Sequence, residues 1–102
     1  MPSPLARHHD ELRALSARYQ VRSLEVFGSA ATSEFDVTHS DIDLLAEFDP
    51  HPGMTALEQY IGFIREAEAL LGRKVDVVNP RYITNPHFKA EVDATRRPLD
   101  AA

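Results

Sequence analysis

The 102-residue sequence contains no cysteine. Disulfides, thiolate nucleophiles and cysteine-ligated metals are therefore excluded. No stretch approaches the roughly 20 apolar residues of a membrane-spanning helix. The first residues also lack the apolar core of a secretion signal. These absences predict a cytoplasmic protein that does not enter a membrane.

Basic residues are also scarce, because 11 lysines and arginines face 16 acidic residues and the formal net charge is -5. The largest basic clusters are the pairs Arg73-Lys74 and Arg96-Arg97. Non-specific binding to a long polynucleotide requires a concentrated positive surface. The charge pattern therefore argues against direct polynucleotide binding.

What the sequence does contain is typical of a globular protein, with 43% hydrophobic and 26% charged residues. At this length we expect a single domain spanning residues 1–102. Apolar periodicity predicts helices at 5–19, 54–71 and 87–97, and strands at 22–28, 41–48 and 74–78. This order predicts an α/β fold, in which helices cover a sheet of three or more strands.

The long helix at 54–71 has the clearest pattern. We expect one face of it to point into the core, consisting of Leu57, Ile61, Ile64, Ala67, Leu70 and Leu71. Gly72 follows at the position where a left-handed residue commonly ends a helix. In the last helix, Phe88 and Val92 are expected to point inward.

Two carboxylates occupy alternate positions of an otherwise aliphatic strand, at Asp41 and Asp43. Alternate residues of a strand share one face, with Cα atoms about 6.5–7 Å apart. Two carboxylates at that separation repel each other unless a cation lies between them. Asp41 alone would be typical of a solvated strand end, but the pair favours a metal site.

A third acid, Asp76, interrupts the apolar strand at 74–78. Taken alone, a solvated position and a functional position are equally expected for it. If this strand lies beside the strand at 41–48, the three carboxylates Asp41, Asp43 and Asp76 converge. Oxygen ligands without histidine or cysteine favour Mg²⁺, which takes further ligands from water and substrate phosphates.

Gly28-Ser29 follows the first strand directly. A glycine lets the backbone turn sharply and approach a ligand, and backbone N–H groups at such a turn bind anions. Most Gly-Ser pairs are ordinary turns. Combined with Asp-x-Asp on the next strand, this one predicts a phosphate-binding turn beside a Mg²⁺ site, as in a nucleoside triphosphate site.

The segment GSAATSEFDVTHSDIDLLAEF, residues 28–48, resembles the signature of the DNA polymerase beta-like nucleotidyltransferase superfamily. The chain length, the first helix and the acid in KVDVV are similar to its smallest branch, the minimal nucleotidyltransferase domain proteins. That branch includes MntA-type antitoxins encoded beside HEPN-domain toxins. The resemblance extends from about Leu12 to Leu99 and implies a polymerase beta-like palm fold with a mixed sheet.

The resemblance also implies chemistry. Asp41 and Asp43 correspond to ligands of two Mg²⁺ ions, Asp76 to the third catalytic and metal-binding carboxylate, and Gly28 and Ser29 to the nucleotide-binding turn. The implied reaction transfers AMP from ATP to a hydroxyl, expected to be a tyrosine of a HEPN RNase toxin, which is thereby neutralised. The implied partner is that toxin; a homodimer and a hetero-oligomer both remain open.

Two alternatives to this function follow, one from departures from the family signature and one from the small size of the chain. Many members of the branch have arginines where this chain has Ala30 and Thr32. Their loss favours an antitoxin that neutralises its toxin by binding and masking it, without catalysis. A transferase acting on a small molecule is the other alternative, although such enzymes usually carry an additional helical domain.

Overall fold

The computed structural model describes residues 4–31 and 41–99. Its elements in chain order are α1 (Pro4–Arg7), α2 (His9–Arg18), β1 (Val21–Phe27), β2 (Ile42–Phe48), α3 (Ala56–Leu71), β3 (Val75–Val78), α4 (Pro86–Thr95) and β4 (Arg97–Pro98). Short 3₁₀ turns occupy Gly28–Ala31 and Pro80–Tyr82. The loop expected at residues 30–40 lies largely outside the described residues. None of the described helices has the length and apolar character needed to cross a bilayer.

The strands form one mixed sheet in the order β3-β2-β1-β4. The hairpin-like pair β1–β2 is antiparallel, and β2–β3 is parallel. A parallel pair requires a crossover connection, which α3 provides. The predicted α/β fold with a mixed sheet of at least three strands is confirmed. The two-residue strand β4 carries no periodic signal, and the sequence did not predict it.

The larger core lies between one face of the sheet and helices α1, α2 and α3. Its fully buried members include Val26, Ile42 and Leu44 from the sheet and Leu12 and Phe63 from the helices. These strand residues alternate with Phe27, Asp43 and Leu45, whose side chains therefore point to the opposite face. Alternation along β1 and β2 thus decides which side chains face the larger core and which face the opposite side of the sheet.

Helix α4 covers part of that opposite face. A smaller apolar cluster is formed there by Phe27, Leu45 and Val92, with Phe88 packed against it. The rings of Phe27 and Phe88 meet edge to face at 5.9 Å. The inward orientation predicted for Phe88 and Val92 is confirmed, and the sheet is covered on both faces near the end of β1.

The structure corrects the predicted inner face of the long helix. Leu57 is 65% exposed and Ile61 is 39% exposed, whereas Phe63 is fully buried. The predicted burial of Ala67 and Leu71 is confirmed, and Gln59 and Phe63 complete the buried stripe in place of Leu57 and Ile61. Phe63 fixes this orientation because its ring makes edge-to-face contacts with both Tyr19 and Phe48.

Boundaries of two helices also differ from expectation. The capping box of Thr55 and Glu58 starts α3 at Ala56, two residues later than predicted. Gly72 ends the helix in the left-handed conformation, with φ 68°, as expected. The first helix is divided at His8, where φ -112° and ψ 22° leave the helical region.

Candidate active site

Asp43 and Asp76 lie side by side on the sheet. The parallel register of β2 and β3 pairs Asp43 with Asp76, and the antiparallel register of β1 and β2 pairs Asp43 with Phe27. Residues paired across neighbouring strands project to the same face. The two carboxylates therefore face the α4 side of the sheet and not the larger core.

The pKa of Asp43 shows that the acidic residues interact. Burial raises it most, followed by the negative charges of Asp76 and Asp41. Within the described residues, no lysine or arginine forms an ion pair with Asp43 or Asp76. Neighbouring carboxylates repel each other when both are ionised, so each favours the protonated form of the other. A divalent cation bound between them would remove this repulsion.

Asp41 occupies a different environment from the one predicted. Strand β2 begins at Ile42, whose N–H donates to the carbonyl of Lys74 at 3.1 Å, so Asp41 precedes the strand. Its side chain is exposed. Asp41 therefore acts on Asp43 through its charge from the rim of the site.

Gly28 brings the turn after β1 directly against Asp43. Its φ is 70°, and a Cβ built on it would lie 2.7 Å from Oδ2 of Asp43. That distance is too short for a real side chain, so glycine is required both by the backbone conformation and by the neighbouring carboxylate. Ser29 continues the same turn, Gly28–Ala31.

Gly28, Asp43 and Asp76 line a cavity of about 630 Å³. A cavity of this size lies within the usual range for small-molecule sites. Its wall combines the end of β1, the acidic strand positions, α3 and α4; the residues are Phe27, Gly28, Asp43, Tyr60, Ile64, Val75, Asp76, Val77, Val78, Phe88, Glu91 and Thr95. The structure thus brings Gly28, Asp43 and Asp76 together at one cavity.

Sequence reasoning missed the contribution of α4 to this cavity. Phe88, Glu91 and Thr95 line it, yet they lie 60 or more residues after Gly28. Their spacing of three and four residues is that of any helix face. Only the placement of α4 on the sheet gives them a role, and no local pattern encodes that placement.

The donor set fits a hard divalent cation. Among residues 4–31 and 41–99, no three acidic or histidine side chains are close enough to hold a metal ion by themselves. Mg²⁺ commonly uses one or two protein carboxylates and completes its shell with water and substrate phosphates. The adjacent Asp43 and Asp76, with Asp41 at the rim, match such an open, oxygen-only arrangement.

Comparison with known proteins identifies relatives along most of the chain. Residues 10–99 match a family described as the nucleotidyltransferase domain. Two proteins of Methanocaldococcus jannaschii, each named as a candidate protein adenylyltransferase, are 34% identical over 89 residues. Each alignment covers 87% of this chain and 85% of the relative.

Solved structures agree with this result. A candidate minimal nucleotidyltransferase superposes with a TM-score of 0.71 at 31% identity, covering 92% of this chain and 91% of the other. A toxin–antitoxin structure with AMP-PNP superposes with a TM-score of 0.63 at 16% identity, covering 88% and 70%. The resemblance to minimal nucleotidyltransferases is confirmed, and the second match establishes similarity of fold.

Proposed function

Because the chain belongs to the nucleotidyltransferase domain family, we propose that it transfers AMP from ATP to a hydroxyl group of a partner protein. The observation that carries this proposal is the packing of the Gly28 turn against Asp43, with Asp76 at the next strand position. A phosphate-binding turn and a pair of carboxylates are the parts that nucleotidyl transfer requires. Here Gly28, Asp43 and Asp76 line one cavity.

In the proposed mechanism, Asp41, Asp43 and Asp76 hold Mg²⁺, with two ions expected. Bound Mg²⁺ would neutralise charge on the phosphates and on the oxygens that attack and leave. Gly28 and Ser29 hold the triphosphate, so that its α-phosphorus faces the acidic residues. The acceptor oxygen forms a bond to that phosphorus as the bond to the pyrophosphate oxygen breaks.

Asp76 is proposed to accept the proton of the acceptor hydroxyl. Its side chain is exposed, so an acceptor can approach it from outside the cavity. It also lies beside Asp43, so the attacking oxygen would be generated next to the bound phosphate. Proton removal by a positioned carboxylate typically contributes a factor of about 10² to 10⁴ in rate.

The acceptor is proposed to be a tyrosine of a HEPN RNase toxin, which the modification silences. Support comes from the relatives named as candidate protein adenylyltransferases and from the toxin–antitoxin structures that share the fold. The described cavity is open at the exposed Asp76, which suits an acceptor carried by another molecule. The chain would then act as an antitoxin.

The proposal is tested by incubating the protein with labelled ATP, Mg²⁺ and the cognate toxin. We expect label on the toxin, reduced by at least about 100-fold in Asp43→Asn and Asp41→Asn, because charge stabilisation in the transition state is lost. Asp10→Asn, which changes a fully exposed carboxylate on α2, serves as the matched control and should retain transfer. Label that is unaffected by Asp43→Asn would contradict the proposal.

The same assay addresses the masking alternative, which the absence of arginine at Ala30 and Thr32 favours. An antitoxin that acts by masking would protect RNA from the toxin without labelling it. Protection by Asp43→Asn equal to that of the wild type, at matched protein concentration, would support masking. Protection that is lost together with label supports catalysis.

A further inference from the structure

The N–H of Gly28 has a partner outside its own turn. It donates to Oγ1 of Thr95 on α4 at 2.9 Å, a contact between residues 67 positions apart. The hydroxyl of Thr95 in turn donates to the carbonyl of Glu91 at 3.1 Å. Because the hydroxyl both accepts and donates, its rotation is fixed and its lone pair is directed at Gly28.

Among the described residues, strand pairing provides no other hydrogen-bond acceptor for the N–H of Gly28. The pairing of β1 with β2 ends at Phe27 and Asp43, one residue before Gly28. A partly buried N–H without a partner is unfavourable, so the first amide of the turn depends on α4. Only serine or threonine at position 95 offers a hydroxyl oxygen on so short a side chain.

Helix α4 is itself held firmly at this end. The guanidinium of Arg96 donates to both carboxylate oxygens of Glu25 on β1, at 2.6 and 3.1 Å. One turn earlier, Val92 is fully buried in the cluster with Phe27 and Leu45. Paired arginine–carboxylate contacts of this kind add geometric definition as well as energy. Thr95 therefore presents its hydroxyl from a fixed support.

We propose that Thr95 is a positioning residue that holds the Gly28-Ser29 turn against Asp43 for nucleotide binding. This inference rests on the proposed function, because it assigns the turn to the triphosphate. Thr95 acts through Gly28, whose backbone lies against Oδ2 of Asp43. Loss of the hydroxyl would free the turn to move relative to the carboxylates that hold the cation.

The test compares Thr95→Val, which keeps the branched shape, with Thr95→Ser, which keeps the hydroxyl. Binding of a non-hydrolysable ATP analogue with Mg²⁺ is measured by calorimetry, and the thermal melt of each variant is recorded. We expect Kd to rise roughly threefold to tenfold in Thr95→Val, the usual effect of one lost hydrogen bond. Thr95→Ser should remain within about twofold of the wild type.

A purely structural role for Thr95 would lower the melting temperature of Thr95→Val and leave Kd of the folded protein unchanged, which would overturn the inference. Equal weakening in Thr95→Ser and Thr95→Val would also overturn it, because the hydroxyl would not be responsible. Amide hydrogen exchange at Gly28 gives a readout without nucleotide. Faster exchange in Thr95→Val alone supports the contact, and unchanged exchange contradicts it.

These measurements separate the two proposals. If the wild-type protein does not bind the analogue, the proposed function fails, and exchange at Gly28 still decides whether Thr95 holds the turn. If the wild type binds the analogue and Thr95→Val binds it equally well, the proposed function stands and the positioning role fails.

Discussion

At the scale of single residues, two glycines adopt nearly the same left-handed conformation for different reasons. Gly28 has φ 70° and Gly72 has φ 68°. A Cβ at Gly28 would collide with Asp43, whereas a Cβ at Gly72 would meet nothing within 4 Å. Gly72 is therefore required only by the backbone at the end of α3, and Gly28 also by the site.

This contrast predicts different outcomes for Gly28→Ala and Gly72→Ala. Gly72→Ala should lower the free energy of unfolding by about 1–2 kcal/mol, the cost of a left-handed alanine. Gly28→Ala should lower it by at least as much, because the collision with Asp43 adds to the same backbone cost. Only Gly28→Ala should also weaken nucleotide binding, by about tenfold or more, because Asp43 must move away from the new methyl group. Denaturant unfolding and calorimetric binding measure the two effects. Equal nucleotide binding by the two variants would show that the contact between Gly28 and Asp43 is irrelevant to the site.

Residues of the site were predictable from sequence where a short motif carries them. The Gly-Ser turn and the aspartates are visible in the sequence because both residue types are uncommon in aliphatic strands, so they indicate a special position. The meeting of Asp43 with Asp76 followed from one assumption, that their strands are neighbours, and the parallel register supports it. Thr95 gave no such signal, since a threonine near a helix end has many ordinary uses.

At the scale of elements, the inner face of α3 was predicted only in part. The prediction is right for Ala67 and Leu71, which are buried, and wrong for Leu57 and Ile61, which are exposed. The first half of the helix buries Gln59 and Phe63 instead, and a hydrophobicity pattern discounts a glutamine. Aromatic contacts of Phe63 with other elements fix this orientation, and they depend on tertiary packing.

The side chain of Gln59 is buried and forms hydrogen bonds to two backbone carbonyls. Its amide nitrogen donates to the carbonyl of Tyr19 at 2.9 Å and to that of Asp49 at 2.8 Å. These carbonyls lie just after α2 and just after β2, so one side chain ties α3 to the ends of two elements. Both donors of the amide are used.

Replacing Gln59 by methionine, which has similar length but no donor, should leave both carbonyls without this partner. We expect the free energy of unfolding to fall by about 2 kcal/mol or more, the cost of unsatisfied buried polar groups. Arg65→Met on the exposed side of the same helix is the matched control and should change stability by less than about 0.5 kcal/mol. Denaturant titration measures both. A Gln59→Met variant as stable as this control would show that the two hydrogen bonds of Gln59 do not contribute to stability.

At the scale of the whole molecule, the fold brings acidic side chains together at a place where no neighbouring basic residue in the described part of the chain is paired with them. The chain has a formal net charge of -5, and Asp43 sits on the sheet beside two further carboxylates. Several other acidic residues among those described are paired with a cation, as Glu25 is with Arg96 and Asp93 with Lys89. The adjacent carboxylates of Asp43 and Asp76 have no such partner among the described residues and lie at the candidate active site, a place where folding stability is commonly sacrificed for function.

This arrangement predicts that Asp43→Asn stabilises the protein when no divalent cation is present. The pKa of Asp43 is raised in the folded state above its ordinary value of 3.8. The folded state therefore binds the proton more tightly, and stability falls as pH rises from that value through the raised pKa. At neutral pH the repulsion is fully present, so Asp43→Asn should melt a few degrees above the wild type.

The pH dependence distinguishes this cause from better packing of the asparagine. As the pH falls below 3.8, Asp43 is protonated in both the folded and unfolded states, and the stability difference between wild type and Asp43→Asn should shrink. Thermal melts in a metal chelator across the acidic range measure the difference, and adding Mg²⁺ at neutral pH should stabilise the wild type more than the variant. A difference that stays constant with pH would mean that charge repulsion at Asp43 does not limit stability.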